Sequence, residues 1–296
     1  MAMSPEVRAV LQPRCLLGEG VVWDAGRALV WFVDIKRHHL WRYDPRSGEG
    51  KVFEAPGQIG WALPTTENVL LCGLQDGLYL FDPAAGDFRF LMTLPGERAG
   101  NRLNDACTDP WGRVWFGSMD DSECEASGCF YVFDRGEVRP AGPEGITITN
   151  GPAVNRPGDR IYFTDTLART ISVAPLGPDG VGEARLFVDV SAHFPDAYPD
   201  GPVVDAEEHV WTALYRGGHV ARFTPDGRLV AAIPCPARDV TKLAFGGSDL
   251  ATCYVTSATK DLDERDGTAE AYPLAGSLFA FDAPVRGFPQ PLVRLA

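Results

Sequence analysis

A short apolar strand that ends in a turn recurs six times in this chain, with a period near 45 residues. The copies begin at Leu40, Leu78, Phe130, Ile171, Val220 and Leu278, and several close on an Asp-Pro or Thr-Pro step, as at Asp44-Pro45, Asp82-Pro83 and Thr224-Pro225. One such unit cannot bury its own apolar face. Repeated at this spacing, it is the signature of propeller blades, each of four short strands. Between the copies sit turn clusters such as Asp24-Ala25-Gly26-Arg27, Asp109-Pro110-Trp111-Gly112 and Pro225-Asp226-Gly227, whose residue types supply tight-turn backbone angles. No window holds a 3.6-residue apolar period, and 32 glycines and 24 prolines argue against helix. The expected fold is all-β, a six-bladed β-propeller, with blades at 17–57, 58–97, 98–146, 147–193, 194–238 and 239–296. No linker breaks the composition, so a single domain over 1–296 is expected, with residues 7–12 adding an outer strand to the last blade. A β-sandwich pair does not account for six copies, and a seven-bladed ring needs one copy more.

A second pattern lies within the first. Four stretches open on a side chain bearing an oxygen and run through small or apolar residues to an Asp or Asn: Glu19 to Asp24, Asn104 to Asp109, Asn150 to Asn155 and Asp200 to Asp205. An aromatic strand residue follows each opening after about a dozen positions, at Trp31, Trp115, Tyr162 and Trp211. If the stretches are the innermost strands of equivalent blades, their opening residues converge on the ring axis. Arg102 and Asp105 flank Asn104 there, and Gly60-Trp61 and Thr241-Lys242 take the matching places in the second and sixth blades. Asn-Gly and Asp-Gly are hairpin dipeptides, so Asn150-Gly151 and Asp200-Gly201 taken singly read as plain turns. Pro152 and Pro202 spoil that reading, and Glu19-Gly20 is no turn dipeptide. Glu, Asn and Asp are hard oxygen donors suited to Ca²⁺, Mg²⁺ or Mn²⁺. With no His or Cys beside them, the usual zinc site is not indicated.

A net charge of −13 sets nucleic acid and anionic membranes aside as partners. No run approaches the ~18 apolar residues of a membrane span. Met1 to Val10 carries Glu6 and Arg8 and lacks the apolar run of a secretory signal. Seven irregularly spaced cysteines with no CxxC predict reduced thiols and a cytoplasmic protein. A monomer or weak homo-oligomer is expected. No Gly-x-Ser-x-Gly elbow and no phosphate-binding glycine loop appears.

Leu17-Gly18-Glu19-Gly20-Val21-Val22-Trp23, Asn101-Arg102-Leu103-Asn104-Asp105, Thr149-Asn150-Gly151-Pro152 and Tyr198-Pro199-Asp200-Gly201 together resemble the senescence-marker-protein, gluconolactonase and luciferin-regenerating family. The likeness extends through Phe163-Thr164-Asp165-Thr166 and Phe245-Gly246-Gly247 and spans almost the whole chain. Trp31 to Lys36 and Tyr272 to Gly276 are most similar to bacterial sugar-acid lactonases such as xylonolactonase. The resemblance implies a six-bladed propeller with one divalent metal held by Glu19, Asn150 and Asp200, the ion being calcium, zinc, manganese or ferrous iron. It also implies that Arg102 and Asn104 contact a sugar lactone. Animal relatives carry a substrate-contacting Glu soon after Gly-Thr-Met. Here Gly117-Ser118-Met119 leads to Asp120, Asp121, Ser122 and Glu123, and Ser122 stands nearest that position.

The expected activity is therefore hydrolysis of an aldonolactone such as xylono-, arabino- or gluconolactone to its sugar acid. The metal would polarise the carbonyl and activate water. Asp200 is the expected base and Asp105 the alternative. Two other readings are a phosphotriesterase-like hydrolase on the same scaffold and a calcium-binding protein without catalysis. The segments from Glu123 to Gly128 and from Lys260 to Tyr272 are long enough to form a lid.

Overall fold

A computed structural model describes residues 5–296. Residues 1–4, the start of the stretch read as lacking a signal, lie outside the described residues. The chain is all-β in a propeller arrangement, with one four-residue α-helix, Thr268–Ala271, and two short 3₁₀ turns. Its strands form five hydrogen-bonded sheets. Three have four strands each in simple antiparallel meanders, beginning at Gly18–Asp24, Ile59–Pro64 and Asn101–Thr108. A fourth begins at Thr149–Val154, and its third strand, Thr170–Gly177, pairs both with the two-residue strand Gly180–Val181 and with Arg185–Asp189. The fifth has eight strands. It is two four-strand meanders joined at one point, where Gly201 of the inner strand Tyr198–Val204 pairs in parallel with Lys242 of Val240–Gly246.

The ring closes as the sequence predicts. Arg8–Leu11, from the start of the chain, pairs antiparallel with Leu278–Asp282 near its end. Side chains from neighbouring sheets interleave to form the core. Trp31, Trp61, Trp115 and Trp211 are almost wholly buried there. Each such ring removes about 150–250 Å² from water, roughly 4–6 kcal/mol of driving force at ~25 cal/mol per Å².

One distortion repeats at every inner strand. The antiparallel register slips between Glu19 and Val22, Ile59 and Trp61, Leu103 and Ala106, Asn150 and Ala153, Pro199 and Pro202, and Val240 and Leu243. A bulge inserts residues that the partner strand does not match and re-aims the side chains beside it. The opening residues predicted to face the axis sit at these slips. Gly20 and Gly151 lie in them with φ of 58° and 74°, a region open to glycine at no steric cost.

The two ends of the central channel differ. At one end the C-terminal segment crosses the ring, with Val293 bonded to Pro64 and Thr66 and Arg294 to Gly112. Gln290, Pro291 and Leu292 there line a mostly apolar cavity. The other end opens as a smaller, polar cleft.

Candidate functional site

Glu19, Asn104, Asn150 and Asp200 line one cleft, with Arg102, Met119, Thr166, Tyr215, Glu123 and Lys260 around them. The cleft opens to solvent at its mouth. The larger apolar cavity at the far end holds none of the opening oxygens, so it is not where the chemistry gathers.

Glu19 and Asp200 are both buried. Each accepts a bond from the amide after it, Glu19 Oε2 from Gly20 at 3.0 Å and Asp200 Oδ1 from Gly201 at 2.8 Å. No other protein donor reaches either carboxylate among the described residues. Burial, and then the charge of Asp105, push the Glu19 carboxyl up to about 8. Asp200 is held well above the usual carboxylate range by burial and by Glu19. Two desolvated carboxylates, both held above their usual range, are a site short of positive charge.

Asn150 is fixed from both sides. Its Nδ2 donates to Thr166 Oγ1 at 2.9 Å, and its Oδ1 accepts from Asn104 Nδ2 at 3.0 Å. The amide oxygen therefore faces Asn104, and with two lone pairs it can accept again. Asn104 Nδ2 also donates to the Thr149 carbonyl at 2.6 Å, while its Oδ1 accepts from Arg102 Nη1 at 2.5 Å. Arg102 Nε reaches Asp121 Oδ1 at 2.9 Å, and Lys36 Nζ meets the same oxygen at 2.6 Å. Burial lowers the Arg102 pKa, and Asp121 beside it opposes that shift.

Asp105 lies elsewhere. Both its oxygens sit 2.6 Å from Lys242 Nζ, and they also accept from Ala106 and Gly151 amides at 2.7 and 2.9 Å. It lines the apolar cavity rather than the polar cleft. This buried ion pair ties three inner strands together across the channel. Ser122 is also off the cleft: it is exposed and its Oγ bonds to Asp120 Oδ2 at 2.5 Å. Its neighbour Glu123, held at a φ of 60°, lines the cleft instead and pairs with Lys260. The structure thus gathers Glu19, Arg102, Asn104, Asn150 and Asp200 and leaves Asp105 and Ser122 aside. Thr166 is a site residue that the sequence alone does not single out, although it closes the segment Phe163-Thr164-Asp165-Thr166. Lys36 and Asp121 can be paired only with the fold in hand.

The donor set fits a hard divalent cation: two carboxylates with free oxygens, one amide carbonyl, and no soft ligand. Among the described residues no group of three or more His, Cys, Asp and Glu is placed to hold a metal. The amide of Asn150 is what completes this cluster.

Comparison with known proteins shows the family of the chain. The chain is 32% identical to the pentonolactonase of Haloferax volcanii, over 96% of this chain and 97% of that one. It is 29% identical to the 6-deoxy-6-sulfogluconolactonase of Pseudomonas putida, over 98% and 99%. Among solved structures, a calcium-binding protein of Agrobacterium tumefaciens called regucalcin superposes with a TM-score of 0.92 at 29% identity, covering 99% of this chain and 98% of that one. The profile of the SMP-30/gluconolactonase/LRE-like region matches residues 17–259. The chain belongs to that family.

Proposed function

We propose that this protein is a metal-dependent sugar lactonase that hydrolyses aldonolactones to sugar acids. One observation carries the reading: Glu19 and Asp200, both buried and both raised, converge with the Asn150 amide beside an arginine in a polar cleft. Curated relatives that match nearly its whole length are sugar lactonases by name, which supports the same conclusion. The reading takes the fold as one domain of six blades, with the eight-stranded sheet counted as two blades touching at Gly201 and Lys242. Seven unpaired thiols support a reducing, cytoplasmic setting.

Glu19, Asn150 and Asp200 would hold one divalent ion. When bound, such an ion offsets charge on a carbonyl oxygen and lowers the pKa of a neighbouring water. The protein's own groups do the rest. Arg102, whose Nη2 is not used within the protein, offers donors to the ring hydroxyls and the developing carboxylate, and Asn104, with both its N–H groups committed, can accept from a hydroxyl at Oδ1. Thr166 keeps the Asn150 amide turned inward. Water attacks the lactone carbonyl carbon, the bond from that carbon to the ring oxygen breaks, and the ring oxygen takes a proton. Asp200 is positioned to receive the attacking water's proton. Asp105 is not, because Lys242 occupies both its oxygens.

A direct test measures acid release from xylono-, arabino- and gluconolactone after chelation and after re-addition of calcium, manganese, zinc or ferrous iron. The reading expects turnover that depends on one of these ions and exceeds turnover of organophosphate esters. Full lactonase rate in the chelated sample would contradict it.

A further inference from the structure

We propose that Lys260 recognises an anionic group at the end of the lactone remote from its carbonyl, so the preferred substrates are acid-bearing sugar lactones. The inference rests on the lactonase reading and deepens it.

The cleft wall carries two cations, Arg102 and Lys260, against the carboxylate of Glu123, and the Asp121–Lys36 pair backs Arg102 from outside the lining. Lys36 and Arg102 share Asp121 Oδ1, at 2.6 and 2.9 Å, which leaves that trio with one positive charge in excess. Lys260 and Glu123 form the remaining pair at the mouth, with side chains 26% and 32% exposed. A divalent ion would balance Glu19 and Asp200, so this wall keeps a net positive charge where a substrate enters.

Lys260 is built to reach while its backbone stays still. Its amide donates to the Leu16 carbonyl at 2.9 Å. Its neighbour Asp261 is held by Arg216 Nη2 at 3.1 Å and by Arg238 Nη2 on its carbonyl at 2.6 Å. The ammonium, in contrast, has Glu123 as its one hydrogen-bond partner among the described residues. An ammonium offers three donors, so two remain. A half-exposed ion pair is weak, and an incoming sulfonate, phosphate or carboxylate can replace Glu123 at little cost. The two loops that meet here come from opposite sides of the ring. The Lys260 and Glu123 side chains both line the cleft and are partly exposed, which puts their pair at its mouth, apart from the buried carboxylates.

The two halves of the pair make opposite predictions. The test compares kcat/KM on 6-phosphoglucono-1,5-lactone with that on glucono-1,5-lactone. Lys260→Met should lower the ratio by about tenfold, the worth of one charge-assisted hydrogen bond, and Lys260→Arg should largely keep it. Glu123→Gln should raise the ratio about threefold, since it frees the ammonium from a competing carboxylate. Calorimetry with the open-chain acids, 6-phosphogluconate against gluconate, should show the same opposite shifts in affinity without any turnover. A pair that merely braces the loops would move both variants the same way, or neither, and that result overturns the proposal. Lack of turnover on both lactones together with opposite shifts in acid binding would sink the lactonase reading and leave the anion site standing.

Discussion

Four inner stretches carry an acid or amide at both ends, and in the two that open on an acid, at Glu19 and Asp200, the ends have opposite fates. Asp205 closes the stretch that Asp200 opens. Asp205 accepts from the Glu207 and His209 amides at 2.9 and 3.0 Å, from Trp211 Nε1 at 2.8 Å and from Arg222 Nε at 2.8 Å. Asp200 accepts from one amide. The same division holds elsewhere. Asp24 takes Arg27 and Trp31, and Asp109 takes Arg113 and Trp115, whereas Glu19 keeps a free oxygen. Burial is nearly equal at the two ends, so depth does not separate structure from function. Satisfaction does. A buried carboxylate with four donors is finished, while one with a single donor beside a second carboxylate still needs a cation.

Variants at the two ends should therefore fail differently. The largest effect is expected at the open end: Asp200→Ala should cut lactone turnover by about 10²–10⁴, the range of a lost general base, while circular dichroism stays native. At the closed end, Asp205→Ala strands the Arg222 guanidinium and the Trp211 indole. It should cost about 3–5 kcal/mol, as removal of one member of a buried pair does, read as a fall in the urea midpoint with kcat retained in the folded fraction. If Asp205→Ala instead killed turnover in a stable protein, the division between the ends would break.

The channel pair sharpens the comparison, because Asp105 stands beside the open end yet is satisfied like a closing acid. Lys242→Met should destabilise by about 3–5 kcal/mol, and adding Asp105→Leu should recover part of that. Denaturant titration of wild type and these two variants measures it.

A pH series on the chelated protein comes next. Glu19 is raised from 4.5 to about 8, so between those values the unfolded chain loses its proton first and the native state keeps it. Stability should then fall as pH rises from about 5 to 8, with a slope of up to about 1.4 kcal/mol per pH unit for this one proton. A divalent ion should flatten the slope. The smallest effect is expected at Thr166→Val. It releases the Asn150 amide, worth about 1 kcal/mol, or roughly a fivefold rise in the dissociation constant of the ion.

The period of the Asp-Pro strands and the opening residues of four stretches are enough to read the ring and most of the cleft. Side-chain type and spacing carry both directly. Three things cannot be read that way. The slip in each inner strand is a backbone event with no uniform residue signature: a glycine marks four of the six, at Gly20, Gly60, Gly151 and Gly201, and none marks the other two. The Lys242–Asp105 pair joins positions 137 residues apart, and nothing local says that Asp105 is spoken for. Ser122 stands at the expected position in the sequence, but a turn at Glu123 swings it outward and brings the next residue in. The sheets number five, not six, because the close approach of Gly201 and Lys242 adds one parallel pairing between adjacent units.

The claim that the opening acids, and not the closing ones, hold a cation has one most direct test. Calcium and manganese should be titrated by calorimetry into wild type, Glu19→Gln, Asp200→Asn and Asp205→Asn, each confirmed folded. The account predicts one bound ion in wild type and Asp205→Asn, and none in the other two. Undiminished binding in both Glu19→Gln and Asp200→Asn would contradict it.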